Sequence, residues 1–358
     1  MTTAVKATTR SRPRRDTGKA ALLVAPALAV LAVVIGYPII RAIFLSFQGN
    51  RRLDPATGVF TEGGFAGLEN YLYWITNRCM SPSGVVGVCP PGVLATDFWP
   101  AVRITLFFTV VTVLLETILG MIMALIMNTP SRGRALIRAA VLIPWAIPTA
   151  VTAKLWQFMF APSGIVNSLL GTSIAWTTDP WAARTAVIIA DVWKTAPYIG
   201  LLTLAGLQVI PEEVYEAAKM DGAGVWKRFT SITLPLVKPA LVVAVLFRTL
   251  DALRMFDLPY ILVGPRKNSV ETLSMLVQDE ASNLRYGAAA AYALLLFLYV
   301  FIIVFAFIKI LGADITGSGR QERHHKVRAS SFVNGGSPTT RRERKAAGRR
   351  ADGKGVSA

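Results

Sequence analysis

Histidine is nearly missing from this chain: of 358 residues only His324 and His325 carry an imidazole, side by side near the C-terminus. The body of the protein therefore has no histidine for a metal centre or a nucleophile–base pair, and neither metal nor nucleophilic chemistry is expected. Cysteine is limited to Cys79 and Cys89. Acid is scarce as well, with 21 Asp and Glu against 38 Lys and Arg and a net charge of +17. A nucleic-acid partner would need a folded basic domain interleaved with aromatics, whereas these cations gather in two tails and thinly between apolar runs. A G-x-x-x-x-G-K-[ST] phosphate loop is also absent. Gly18-Lys19 is followed by Ala20 with no glycine-rich run before it, so any nucleotide hydrolysis must come from another chain.

What the chain has in abundance is apolar sequence. At 53% hydrophobic and mean hydropathy +0.48 it reads as an all-α, polytopic integral membrane protein. Residues 1–19 hold Lys6, Arg10, Arg12, Arg14, Arg15 and Lys19 against Asp16 alone, the composition of a disordered basic tail. Ala20–Ile40 follows as 21 uncharged residues, enough to cross a hydrocarbon core of about 30 Å. A signal peptide shares that pattern, but this run exceeds a usual apolar core and further spans follow it. The first transmembrane helix is set at 20–47. Residues 48–100 are polar and rich in Gly and Pro, and they contain both cysteines, either bridged or as two thiols.

Five more apolar runs cover about 101–127, 134–160, 184–209, 237–264 and 286–311, making six spans within a core of 101–311 plus the first helix. Arg132, Arg134 and Arg138 fall between spans two and three, and Lys219, Lys227 and Arg228 between four and five. The positive-inside rule puts those connections and both termini in the cytoplasm, and 48–100 outside. The last 47 residues, 312–358, carry eleven Lys or Arg and four acids, a second disordered basic tail able to meet anionic lipid.

The segment 211–235 is the polar exception between spans. Pro211-Glu212-Glu213 suits a helix start, Ala217 and Ala218 give that helix a face with little bulk, and Asp221-Gly222 supplies its turn. A second short helix is expected through Val225, Trp226 and Phe229, ending at Leu234-Pro235. Glu216-Ala217-Ala218, three residues, Gly222, nine residues, Ile232, one residue, Leu234-Pro235 resembles the EAA loop of ABC importer permeases at every fixed position. The resemblance implies the type I importer permease fold, with Glu216, Ala217, Ala218, Asp221 and Gly222 as the coupling helix seated on an ATPase subunit. It also implies a sister permease, two ATPase subunits that bind ATP and Mg, an extracytoplasmic binding (lipo)protein, and a place in a bacterial plasma membrane. This chain itself would bind no cofactor.

Several spans carry charge, which is costly there and calls for a partner or a wet cavity. Span two has Glu116. Span three has Lys154 with Pro144 and Pro148. Span four has Asp191, Trp193 and Lys194, with Pro197 available to break it. In span five Arg248, Asp251, Arg254 and Asp257 alternate in sign at steps of three, the spacing of a neutral ladder along a helix. Asp251 and Glu116 fall near mid-membrane and most of the others in the outer half. The pattern fits a polar cavity opening outward, with Glu116, Asp191, Trp193, Lys194, Asp251, Arg254, Asp257 and Tyr260 as candidate contacts to a solute. It fits structural ion pairs between helices equally well.

Leu142-Ile143-Pro144-Trp145, Asp191-Val192-Trp193-Lys194 and Phe247-Arg248-Thr249-Leu250-Asp251 resemble maltose-type carbohydrate permeases, especially actinobacterial disaccharide (trehalose-type) importers. That implies a di- or oligosaccharide cargo, with glycerol phosphate or another polyol as the alternative. An ion-coupled secondary transporter would use the buried charges as relays but leaves the EAA segment unexplained. A membrane glycosyltransferase would want carboxylates clustered at one face. The only cytoplasmic cluster, at Glu212, Glu213, Glu216 and Asp221, is accounted for mostly by placement at the helix start.

Overall fold

The computed structural model describes residues 17–311 apart from 54–56, 62, 81–85, 91, 131 and 268. Both basic tails lie largely or wholly outside the described residues, although Thr17–Lys19, assigned to the first tail, already belong to a helix. Helix α1 (Thr17–Leu31) passes through a π-turn at Ala32–Gly36 into α2 (Tyr37–Ser46), which begins with Pro38 in its first turn. The π-turn just before Pro38 widens the helix where proline has no amide hydrogen to donate.

The described residues of the polar stretch after α2 include regular secondary structure. It holds a hairpin of β1 (Arg52–Leu53) and β2 (Phe60–Thr61), helix α3 (Glu69–Thr76), and a second hairpin of β3 (Arg78–Met80) and β4 (Val86–Val88). Cys79 and Cys89 are joined in a disulfide across the second hairpin. Trp74 is fully buried and donates from Nε1 to the Ala288 carbonyl at 3.2 Å. Asn70 donates from Nδ2 to the Ser46 and Gln48 carbonyls, both at 2.8 Å. The Asn70 amide thus ties this subdomain to carbonyls at the end of α2, and the Trp74 indole ties it to the start of the last span.

Helix α4 (Phe98–Asn128) leads to α5 (Arg134–Ala146) and α6 (Thr149–Met159), which meet at 91°. Residues 134–160 were expected as one span, and Pro148 divides them into two helices. It has no amide hydrogen to donate and holds Ile147 extended (ψ 132°), so the helix stops and restarts. A short α7 (Ile165–Leu170) precedes α8 (Pro180–Gln208), whose start is capped by the Asp179 carboxylate accepting from the Trp181 and Ala182 amides. Pro197 was expected to offer a break; α8 runs through it.

Helices α9 (Glu212–Met220) and α10 (Val225–Arg228) form the short polar connection. α10 does not end at Leu234-Pro235 as expected. A π-turn at Phe229–Thr233 carries it on into α11 (Leu234–Ala252), and the wider turn lets Pro235 sit within the continuing helix. α11 in turn stops at Ala252, short of the expected 264, and α12 (Asp257–Leu262) restarts after a bend. Then come α13 (Leu273–Ser282) and α14 (Tyr286–Leu311). Among the described residues five helices are long and apolar enough to span a membrane, or six if the bent α5–α6 pair counts as one.

The centre of the bundle is the α4–α8 crossing. A Cβ placed on Gly120 would come within 2.9 Å of the Gly200 amide nitrogen, so only glycine permits that approach. The crossing holds α4 beside α8, so that Glu116 of α4 and Asp191 of α8 can share one partner.

Candidate functional site

Two constellations stand out. The first is α9 and its turn. Glu212 and Glu213 lie in the first turn and Lys219 in the last, each complementing the helix dipole. Gly222 closes the helix at φ +71°, with its amide donating to the Lys219 carbonyl and the Ala223 amide to Ala218. That two-bond termination requires a left-handed residue, and glycine supplies it without strain. Glu216, Ala217, Asp221 and Gly222 are exposed, while Ala218 turns inward. Tyr215 Oη and Thr233 Oγ1 share a hydrogen bond at 3.2 Å, which braces α9 against the π-turn leading into α11. Met220, Val225 and Trp226 are exposed alongside, a patch of apolar side chains unusual for a solvated hairpin.

The second constellation is buried in the bundle. Arg248 on α11 reaches three carboxylates on three elements. Its Nε donates to Glu116 Oε2 of α4 at 2.6 Å and its Nη2 to Glu116 Oε1 at 3.0 Å. Nη2 also donates to the Asp191 carboxylate of α8, and Nη1 to Asp251 Oδ2 at 3.1 Å. Thr195 Oγ1 adds a bond to Glu116 Oε1 at 2.6 Å. A planar guanidinium with five donors suits this task, and a lysine could not span it.

The node separates the candidate residues by exposure. Glu116 and Asp191 are enclosed and spend their oxygens on Arg248 and Thr195. The Asp251 side chain is 70% exposed, and Trp193, Arg254 and Asp257 are also exposed. Lys194 does not pair with Asp191, three residues earlier. Its Nζ instead donates at 2.7 Å to the Ile147 carbonyl, which the Pro148 break leaves without a helical partner. Lys154 bonds Gln157 Oε1 at 2.9 Å. Tyr260 packs on Phe256 with ring centroids 5.0 Å apart. Trp145 and Tyr198 stack at 6.0 Å, and Trp193 meets Trp156 edge-on at 5.8 Å.

The expected ladder along span five therefore stops after one rung. Arg248 pairs with Asp251, but α11 ends at Ala252, so Arg254 turns its Nε to the Leu250 carbonyl at 3.3 Å and Asp257 opens a new helix. Sequence spacing showed neighbours along one helix and could not show that Arg248 bridges three. Thr195 was missed altogether, since a threonine in a span carries no distinguishing signal.

Fold and site together define a multi-span helical membrane protein with a braced, exposed hairpin at one end and a polar node between its spans. Residues 116–316 match the family model "Binding-protein-dependent transport system inner membrane component", and the chain belongs to that family. It is 40% identical over 295 residues to the trehalose/maltose transport system permease protein MalF of Thermococcus litoralis, covering 81% of this chain and 92% of that one. It is 38% identical to the trehalose transport system permease protein SugA of Mycobacterium tuberculosis, covering 83% and 89%. A bacterial ABC transporter involved in alginate import has a chain of similar fold, with TM-score 0.67 at 22% identity over 86% of this chain and all of that one. The chain is thus a multi-pass permease subunit of an ABC importer and not an enzyme; ATP hydrolysis belongs to a separate subunit.

Proposed function

We propose that this permease carries a di- or oligosaccharide of the trehalose or maltose kind inward by alternating access. The working assembly is this chain, a sister permease, two ATPase subunits that bind ATP and Mg, and an extracytoplasmic binding protein, with both termini of this chain cytoplasmic. The EAA segment, Glu216 to Gly222, is the surface on which ATPase closure pushes. Tyr215 and Thr233 pass that movement to α11, which carries Arg248 and so moves the node. The helices then rock as rigid bodies about a site near mid-membrane.

The cargo assignment is carried by one observation: the exposed carboxylate of Asp251, which lies within electrostatic reach of Lys194 and Tyr198. A charged side chain facing lipid at that depth is too costly, so its open side belongs to a wet path between this chain and its sister. Hydrogen-bonding groups beside the Trp145–Tyr198 ring stack are what a sugar needs, an apolar face together with donors and acceptors. The relatives named for trehalose and maltose support the same cargo.

Uptake of labelled trehalose and maltose into proteoliposomes holding the whole assembly tests this. Asp251→Asn should raise the half-saturating sugar concentration about tenfold, the loss expected for one charge-assisted hydrogen bond. Unchanged uptake with a shifted melting temperature would assign Asp251 to structure alone.

A further inference from the structure

At the end of the bundle opposite α9 lies a cavity of about 830 Å³, whose walls include Asp97, Arg266, Glu271, Asn283 and Arg285. Glu271 is only 3% exposed, yet neither of its carboxylate oxygens has a well-formed hydrogen bond; the Lys267 amide and the Asp279 carboxyl are its near polar neighbours. It lies against the carboxyl of Asp279, another buried acceptor whose Oδ2 also lacks a donor. The cations nearby are already engaged. Arg285 donates to Tyr73 Oη at 3.0 Å and sits 3.3 Å from Glu280. Arg266 is 3.9 Å from Asp279 and donates to Asn283 Oδ1 at 3.3 Å. Lys267 is turned away to the Thr177 carbonyl at 2.7 Å.

The walls are held firmly. Thr272 Oγ1 donates to the Met255 carbonyl at 2.8 Å, and the Leu273 amide donates to Thr105 Oγ1 of α4 at 3.0 Å. Cys89 of the disulfide-closed hairpin forms part of the rim. Such a frame keeps the cavity open beside Glu271, so a guest can offer its carboxylate the close donor that the walls do not. A metal ion does not fit, because among the described residues no three His, Cys, Asp or Glu are placed to hold one. A sugar fits poorly, because the lining offers no aromatic face. Arg266 and Arg285 face Asp279 and Glu280, which leaves the Glu271 carboxylate in the wall without a cation of its own and favours a positive guest.

We propose that this cavity receives a lysine or arginine side chain of the extracytoplasmic binding protein, with Glu271 as its carboxylate seat. The proposal rests on the importer assembly described above and adds where, and by what chemistry, the binding protein is gripped. A cation there satisfies Glu271, relieves its contact with Asp279, and finds acceptors on both sides.

Docking should then depend on pH. Burial, and next the charge of Asp279, push the Glu271 carboxyl up to about 7. A proton and the guest cation therefore compete for one seat. As pH rises from about 6 to 8 the proton leaves, Glu271 becomes charged, and docking tightens. The titratable and charged groups around it are Asp97 before α4, Tyr73 of α3, Asp279 and Glu280 of α13, Arg266 and Lys267 before α13, and Arg285 and Tyr292 at α14.

The test is ATP hydrolysis by the reconstituted complex, titrated with its purified binding protein. Glu271→Gln should raise the half-saturating binding-protein concentration about tenfold or more, leave the maximal and unstimulated rates unchanged, and flatten the pH dependence. Asn283→Asp, on an exposed wall position, should lower that concentration severalfold, a gain that misfolding cannot imitate. Arginine amide should compete with the binding protein on the wild type and not on Glu271→Gln. If the wild type is stimulated normally while these variants leave half-saturation unmoved, the cavity proposal fails alone. If the wild type shows no stimulation, the importer reading fails and the cavity proposal goes with it.

Discussion

Gly222→Val is expected to abolish transport and ATP coupling while the protein still inserts and assembles its spans. The space around Gly222 is open, with no atom within 4 Å of an added Cβ, so the effect is not a clash. It comes from the backbone: at φ +71° a β-branched residue is strained by about 1–3 kcal/mol. The relief is to unwind the end of α9, breaking the Gly222–Lys219 and Ala223–Ala218 bonds and moving Glu216 to Asp221 away from their place. Asparagine tolerates the left-handed conformation, so Gly222→Asn should keep much of the activity. Uptake assays on both variants, with membrane content measured by blot, check this. Normal uptake by Gly222→Val would remove the turn from the mechanism.

Arg248→Ala should be the most destabilising single change in the bundle. It leaves Glu116 and Asp191 buried with no counter-charge, and breaking a buried pair from one side costs about 3–5 kcal/mol. Arg248→Lys should rescue only in part, because an ammonium cannot reach Glu116, Asp191 and Asp251 with the fixed geometry of a guanidinium. The triple change Arg248→Met, Glu116→Gln, Asp191→Asn removes the stranded charges together and should recover folding yield without recovering transport. Thermal melting in detergent beside transport measurements separates the outcomes. An Arg248→Ala protein as stable as the wild type would show that the node does not hold α4, α8 and α11 together.

The hairpin was legible in the sequence because every element of it is local. Pro211, the acidic pair and Gly222 each act within a turn of their own position, so residue type alone gives helix, end and direction. The spans were legible for the same reason, as runs of apolar composition. What failed was anything set by geometry at a proline or between distant helices. Pro148, Pro197 and Pro235 are one residue type with three outcomes: a 91° bend, an uninterrupted helix, and a first turn entered from a π-turn. At the Pro148 bend, Lys194 satisfies the Ile147 carbonyl that the break leaves open, a partner that residue type at Pro148 could not reveal. Arg248 was visible as a charge at i,i+3 from Asp251. Its bonds to Glu116 and Asp191 cross 132 and 57 residues of sequence, and only the packing of α4, α8 and α11 brings them together.

The mechanical role of α9 is tested most directly by a cysteine at Ala217, an exposed position on that helix. With a short bifunctional crosslinker and single cysteines placed along the ATPase surface, Ala217→Cys should join to the ATPase in high yield. The yield should change between ATP-bound and nucleotide-free complexes, because the helix moves with the closing ATPase pair. No adduct in either state, from a complex that still transports, would contradict the account at its root.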